Sequence, residues 1–87
     1  MTAASPRASV QIPLPADPRR VADGIRSLRG ADLLRGGRGG EPFDVDAAAE
    51  LAARLGDLLL ERNLRLIELN PVVVHRRGCV AVDALAR

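Results

Sequence analysis

Hydrophobic positions along the 87-residue chain follow two rhythms. Val10, Ile12 and Leu14 alternate with other residues, the period of a strand, and Pro13 places that strand at a sheet edge or a bend. After Asp17 the spacing becomes helical, through Val21, Ala22, Ile25 and Leu28. Asp17 is a natural N-cap, and Pro18 falls at the first helical position, where its missing N–H is no loss. Gly24 weakens this helix by about 1 kcal/mol relative to alanine, and Gly30 is the expected stop. A stronger helical pattern runs through Ala48, Leu51, Ala52, Leu55, Leu58, Leu59 and Arg62. Asp44 caps it, Asp46 puts negative charge in the first turn, where the helix dipole favours it, and Asn63 is the stop. Two apolar runs, over 65–74 and 79–84, then read as strands around His75-Arg76-Arg77-Gly78. The order is strand, helix, glycine loop, helix, strand, strand: an α+β fold with two helices packed on a small sheet. Residues 1–8 are small, polar and interrupted by Pro6, and read as a disordered tail ahead of a single domain over 9–87.

Composition narrows this picture. A chain of this length buries only about 60–65% of its unfolded surface, which predicts marginal stability. Phe43 is the only aromatic residue, so the core must be built from Leu, Val, Ile and Ala, and no aromatic platform for stacking bases exists. All thirteen basic residues are arginine, which excludes a P-loop or Schiff-base lysine in this chain. A net charge of +2 does not call for a polyanionic partner. The lone Cys79, between Gly78 and Val80, reads as a buried, inert strand residue, and no run of apolar residues is long enough to span a membrane. The N-terminus lacks the apolar core of a secretory signal, so the cytoplasm is the expected location.

Glu68 and Asn70 are the polar residues out of place in an apolar strand. Two apart, they share one face, and Pro71 interrupts the hydrogen-bond ladder just after them. A four-residue turn at 75–78 sets Val74 opposite Cys79, Val72 opposite Ala81 and Asn70 opposite Asp83, with opposed Cβ atoms about 5 Å apart. A three-residue turn instead moves Asp83 opposite Pro71. In the first register Glu68, Asn70 and Asp83 form an oxygen-rich cluster of the kind a hard cation such as Mg²⁺ accepts. The bland alternative is that Asp83 and Asn70 are turn or capping residues and Glu68 faces water.

The stretch LIELNPVVVHRRGCVAVDALAR resembles the end of the ATP-grasp domain of NDP-forming acyl-CoA synthetases, the group of ADP-forming acetate–CoA ligases and succinyl-CoA ligase β chains. The family pattern is an acid, an apolar residue, Asn-Pro, apolar residues, a glycine turn and an Ala/Leu-Asp-Ala close. It falls here on Glu68, Leu69, Asn70, Pro71, Val72–Val74, Gly78 and Ala81–Ala84. Upstream, SLRGADLLRGGRGGEPFDVDAAAELAARLGDLL and VQIPLPADPRRVADGIRSL are similar to the preceding family segments, so the likeness covers about residues 8–87. It implies a partial, C-terminal ATP-grasp subdomain. It also implies that Asn70 and Asp83 bind the Mg²⁺ of ATP, with Glu68 as ligand or neighbour. Leu66 departs from the fused-type enzymes, which often carry a second acid there; succinyl-type chains tolerate an apolar residue at that position, so the resemblance keeps the metal pair.

The same resemblance implies an incomplete site. The family's phosphate-gripping lysine, adenine pocket and flexible glycine loop lie in an upstream half that has no counterpart here, and the CoA-binding domain and its phosphohistidine are also missing. His75 matches no family histidine and reads as a solvated turn residue. A protein partner supplying the upstream half and the CoA-binding domain is therefore expected, and the isolated chain is expected to be inactive. The glycine cluster LLRGGRGGEP reads either as a solvated connector or as a loop at the nucleotide cleft, with Arg35 and Arg38 approaching the phosphates. One RGG copy without nearby Tyr is weak support for RNA binding, and no nucleic-acid or membrane partner is expected. The rival function class is a non-catalytic α+β interaction module, or a remnant of a truncated ligase or acetyltransferase gene.

Overall fold

The computed structural model describes residues 8–37 and 40–87. The expected tail over 1–8 therefore lies, except for Ala8, outside the described residues. The chain forms α1 (Pro18–Arg26), α2 (Ala31–Leu34), α3 (Val45–Glu61), β1 (Ile67–Leu69), β2 (Val72–Val74), β3 (Cys79–Ala81) and β4 (Ala84–Ala86). The α+β class stands, with several boundaries redrawn.

The first expected strand does not form. Residues 9–13 are irregular and join no ladder. Pro13 and Pro15 remove two backbone donors, and no described strand lies beside them. The apolar alternation serves side-chain packing instead. Val10 and Ile12 abut the bare backbone of Gly24 in α1, and Leu14 lies over Gly56 in α3. α1 begins as expected, with the Asp17 carboxylate accepting the Arg19 N–H at 2.9 Å. It ends at Arg26 rather than at Gly30, because the Ser27 hydroxyl donates to the Gly24 carbonyl at 2.6 Å and draws the last turn closed. Gly30, at φ 82°, instead opens the short α2.

α3 carries two apolar faces. Val45, Ala49, Ala53 and Gly56 are its buried residues, spaced at helical intervals of four, four and three. Val45 and Ala49 form the core with Val21 and Ala22 of α1, and Ile12, Ala16, Ile25 and Leu34 pack around it. Small side chains on both helices let the two backbones approach. The face traced by large residues lies alongside: Leu51, Leu55 and Leu59 line a groove of about 590 Å³ with Ile25 of α1, Leu28 just beyond it, and Ile67, Leu69, Val72 and Val74 of the hairpin. Leu58 is 39% exposed and belongs to neither face. The helix stops where Asn63 turns to φ 52°, as the sequence suggests.

The two C-terminal strands pair in the register set by a four-residue turn: Val74 with Cys79, Val72 with Ala81, and beyond them Leu69 with Ala84 and Ile67 with Ala86. Each strand is broken once, so one long hairpin becomes two short ladders, β1–β4 and β2–β3. The break lies at Asn70-Pro71 and Val82-Asp83, where Pro71 has no N–H to give but its carbonyl accepts the Val82 N–H at 2.9 Å. The side-chain phase shifts there. Ile67 and Leu69 face the groove before the break, and Val72 and Val74 face it afterwards. Cys79 is half-buried rather than fully buried, at the edge of α3 beside Ala47, Glu50 and Arg54.

Candidate functional site

The break in the hairpin gathers the three polar candidates. Asn70 donates its backbone N–H to the Asp83 carbonyl at 3.2 Å, so the two residues are opposed across the strands. Glu68, Asn70, Asp83, Ala84 and Leu85 line a shallow depression of about 230 Å³ on the side away from the groove. All three polar side chains are exposed, so none carries a large desolvation cost. Asp83 already uses Oδ1 to accept the Ala84 N–H at 2.9 Å, which orients the carboxylate and leaves Oδ2 without a hydrogen-bond partner among the described residues. Among the described residues no three His, Cys, Asp or Glu side chains gather as a metal ligand set. The available donors are two carboxylates and an amide carbonyl, all hard oxygens. That set suits an ion that keeps several waters and shares substrate phosphates, rather than a tetrahedral zinc cage.

The hairpin tip is anchored by a residue whose second role the sequence does not reveal. Asp44 caps α3, its Oδ1 accepting the Ala47 N–H at 3.0 Å. Its Oδ2 accepts the Gly78 N–H at 2.7 Å, and its own N–H donates to the His75 carbonyl at 2.7 Å. The Gly78 and Ala47 N–H groups together hold the Asp44 carboxyl below the ordinary aspartate value of 3.8. Beside it, the Arg76 guanidinium lies 5.0 Å from the centre of the Phe43 ring. A sequence shows a cap by local spacing. A partner 34 positions away leaves no such signal, apart from Gly78 itself, whose φ of 89° marks a turn.

The remaining candidates do not converge on the depression. Arg35 is exposed, its guanidinium paired with Asp32 and donating to the Arg26 carbonyl at 3.3 Å, and it is not among the residues lining the depression. Arg38 lies outside the described residues. His75 is an exposed turn residue whose N–H donates to the Gly78 carbonyl at 2.9 Å. No helix among the described residues is long and apolar enough to cross a membrane.

Comparison with known proteins places the chain in a family. A family model described as an ATP-grasp domain matches residues 3–87. The beta subunit of the ADP-forming acetate–CoA ligase I of Pyrococcus furiosus is 33% identical over 61 residues, which are 69% of this chain and 26% of that subunit. The ADP-forming acetate–CoA ligase I of Archaeoglobus fulgidus is 37% identical over 70 residues, 79% of this chain and 10% of that protein. A trans-feruloyl-CoA synthase from an unknown prokaryotic organism is 39% identical over 72 residues, again 79% of this chain and 10% of the relative. Among solved structures, a dinucleotide-forming acetyl-coenzyme A synthetase of Ca. Korarchaeum cryptofilum superposes with a TM-score of 0.72 at 30% identity. The match covers 84% of this chain and 34% of that one. The chain thus spans between a tenth and about a third of the length of these relatives. With its α+β architecture, it belongs to the ATP-grasp family, as a partial ATP-grasp segment of the kind found in ADP-forming acetyl-CoA synthetases.

Proposed function

We propose that this chain is the Mg²⁺- and nucleotide-binding C-terminal part of the ATP-grasp domain of an NDP-forming acid–CoA ligase. A partner would supply the upstream half of the domain and the CoA-binding domain. The observation that carries this reading is the opposition of Asn70 and Asp83 beside Glu68, at the exposed break in the hairpin. Mg²⁺ bound there would neutralise charge on the nucleotide phosphates during phosphoryl transfer. The chain's own contribution is to hold an acid, an amide and a second acid on a hydrogen-bonded strand pair, with the Asp83 carboxylate steered by the Ala84 N–H. Arg35 and Arg38, at the glycine loop, are the proposed phosphate contacts. Arg35 would leave Asp32 to do this, and an exposed ion pair of that kind holds it by about 1 kcal/mol or less.

The test is reconstitution. Mixed with a chain supplying the upstream half and the CoA-binding domain, the protein should form nucleoside diphosphate from ATP, acid and CoA in a Mg²⁺-dependent way. Asn70→Ala and Asp83→Ala should each reduce that rate to background. Activity unaffected by both substitutions overturns the metal assignment. The purified 87-residue chain alone should show no ATP turnover, and turnover by it would disprove the need for a partner half. A reconstituted complex that binds tightly and stays inactive would favour the non-catalytic interaction module instead.

A further inference from the structure

We infer that Asp44 is a positioning residue: its carboxylate tethers the tip of the β2–β3 hairpin to the start of α3, and so fixes the strands carrying Glu68, Asn70 and Asp83 relative to the base of the glycine loop. The relevance to a nucleotide site rests on the function proposed above; the tether itself does not.

Two oxygens serve two elements. Oδ1 meets the ordinary requirement of a helix N-terminus, the Ala47 N–H at 3.0 Å. A serine or asparagine would do that equally well. Oδ2 reaches out of the helix to the Gly78 N–H at 2.7 Å, and the Asp44 N–H meets the His75 carbonyl at 2.7 Å, so the turn is gripped at both ends. One residue earlier, Phe43 donates its N–H to the Leu34 carbonyl at 2.8 Å, closing the base of the loop that carries Arg35, while its ring supports Arg76 of the turn. Phe43 and Asp44 thus form a single node joined to the glycine-loop base on one side and the hairpin tip on the other.

Such a node is needed because packing does not fix the hairpin by itself. Its inner face looks onto an open apolar groove of about 590 Å³ rather than a closed interface with α3. Among the described residues, the backbone of β2, β3 and their turn is hydrogen-bonded to the helical layer only at Asp44. The other attachment is the short connection from α3 to β1. A strand pair held at its root and its tip keeps one orientation; released at the tip, it is free to swing.

Asp44→Asn separates the carboxylate's grip on Gly78 from the cap, and leaves the backbone bond from Asp44 to the His75 carbonyl in place. The amide oxygen still accepts from Ala47, but the amide nitrogen offers only hydrogens to Gly78. In the variant chain, α3 amides should keep their hydrogen-exchange protection while Gly78 loses its own. The single thiol, Cys79, which lines a shallow recess with Ala47 and Leu51, should react severalfold faster with an aromatic disulfide reagent. Unchanged Gly78 exchange and thiol reactivity overturn the tether. A measurement on the unmodified chain guards against a variant that fails to fold. The Gly78 and Ala47 amide resonances should both follow the titration of Asp44, and a Gly78 amide that ignores it overturns the proposal. Mn²⁺ reads the positioning. In the unmodified chain, Mn²⁺ should broaden Asn70 and Asp83 strongly and Leu34 and Phe43 detectably. In Asp44→Asn the hairpin broadening should persist while that at Leu34 and Phe43 changes severalfold, and an identical pattern in both chains overturns the positioning role. If no Mn²⁺ binds to the unmodified chain without nucleotide and the partner half, the exchange and thiol results alone decide the tether.

Discussion

Asp83 serves the hairpin and the candidate site with different atoms. Its backbone carbonyl accepts from Asn70, its Oδ1 from Ala84, and its Oδ2 and charge remain for a cation. Asp83→Asn keeps an oxygen for Ala84 and removes only the charge. It should leave the strand pairing intact, with Asn70 and Ala84 amide shifts close to those of the unmodified chain, and weaken Mn²⁺ binding by roughly tenfold or more, by analogy with the loss of a single support in metal sites. Binding of undiminished strength would remove Asp83 from the ligand set. Asp44 makes a pH prediction. Its carboxyl sits below the ordinary aspartate value of 3.8 because Gly78 and Ala47 donate to it. The stabilisation is therefore full above that value and is lost as pH falls from there through the lower folded value. Among the described residues, Asp46, paired with Arg26, and His75 and Arg76 on the turn are charged or titratable groups near it. Unfolding midpoints measured from pH 7 down to pH 3 should fall less steeply for Asp44→Asn than for the unmodified chain. The facing of Asn70 and Asp83 was legible in the sequence because a Gly-ended four-residue turn sets the register of everything behind it. The second bond of Asp44 was not, because an N-cap aspartate looks the same whether or not its other oxygen is used.

α3 shows why a periodic pattern can be read correctly and still point to the wrong face. Large residues dominate any hydrophobicity pattern, so Leu51, Leu55 and Leu59 stand out, yet the residues that disappear from solvent are Val45, Ala49, Ala53 and Gly56. Small side chains are what allow α1 and the segment over 9–16 to lie close. Two substitutions one turn apart expose the difference. Ala49 is 1% exposed in the contact with α1, and Ala49→Leu should cost about 1–3 kcal/mol through overpacking. Ala52 is exposed at the groove rim, and Ala52→Leu should stay within about 0.5 kcal/mol. Urea denaturation of the two variants gives the comparison, and equal losses would mean that the two faces are packed alike. The N-terminal segment teaches the complementary lesson. Its period of two is real and is used, but against Gly24 rather than in a ladder, because a strand needs a neighbour that local sequence does not supply. The phase shift at Asn70-Pro71 was signalled by Pro71, while the direction in which the side chains turn beyond it depends on the groove.

The molecule as a whole leaves apolar surface on both sides of a two-stranded hairpin. Its inner face opens onto the groove, and its outer side leaves Val73 42%, Val80 53%, Val82 62% and Leu85 51% exposed. A hairpin of two strands is rarely stable alone, and among the described residues the buried core consists of valine and alanine side chains only. The relatives are longer by a factor of about two and a half or more, and in the proposed function the remaining ATP-grasp half meets this chain at the candidate site. Leu85 belongs both to the rim of that site and to the exposed outer surface, so completing the site and covering apolar area are one event. The upstream half should therefore stabilise the chain by mass action, by about 2.7 kcal/mol when free partner exceeds Kd a hundredfold. For a domain of this size that corresponds to a rise in midpoint on the order of 10 °C or more. Thermal unfolding of the chain at increasing partner concentration measures it, together with displacement of a polarity-sensitive dye from the hairpin. Leu85→Glu should abolish both effects while leaving the α1–α3 core intact, because residue 85 lies outside that core. A midpoint that does not respond to the partner half would break the link between the exposed hairpin and an assembled ligase, since covering that surface must lower the free energy of the folded state relative to the unfolded one.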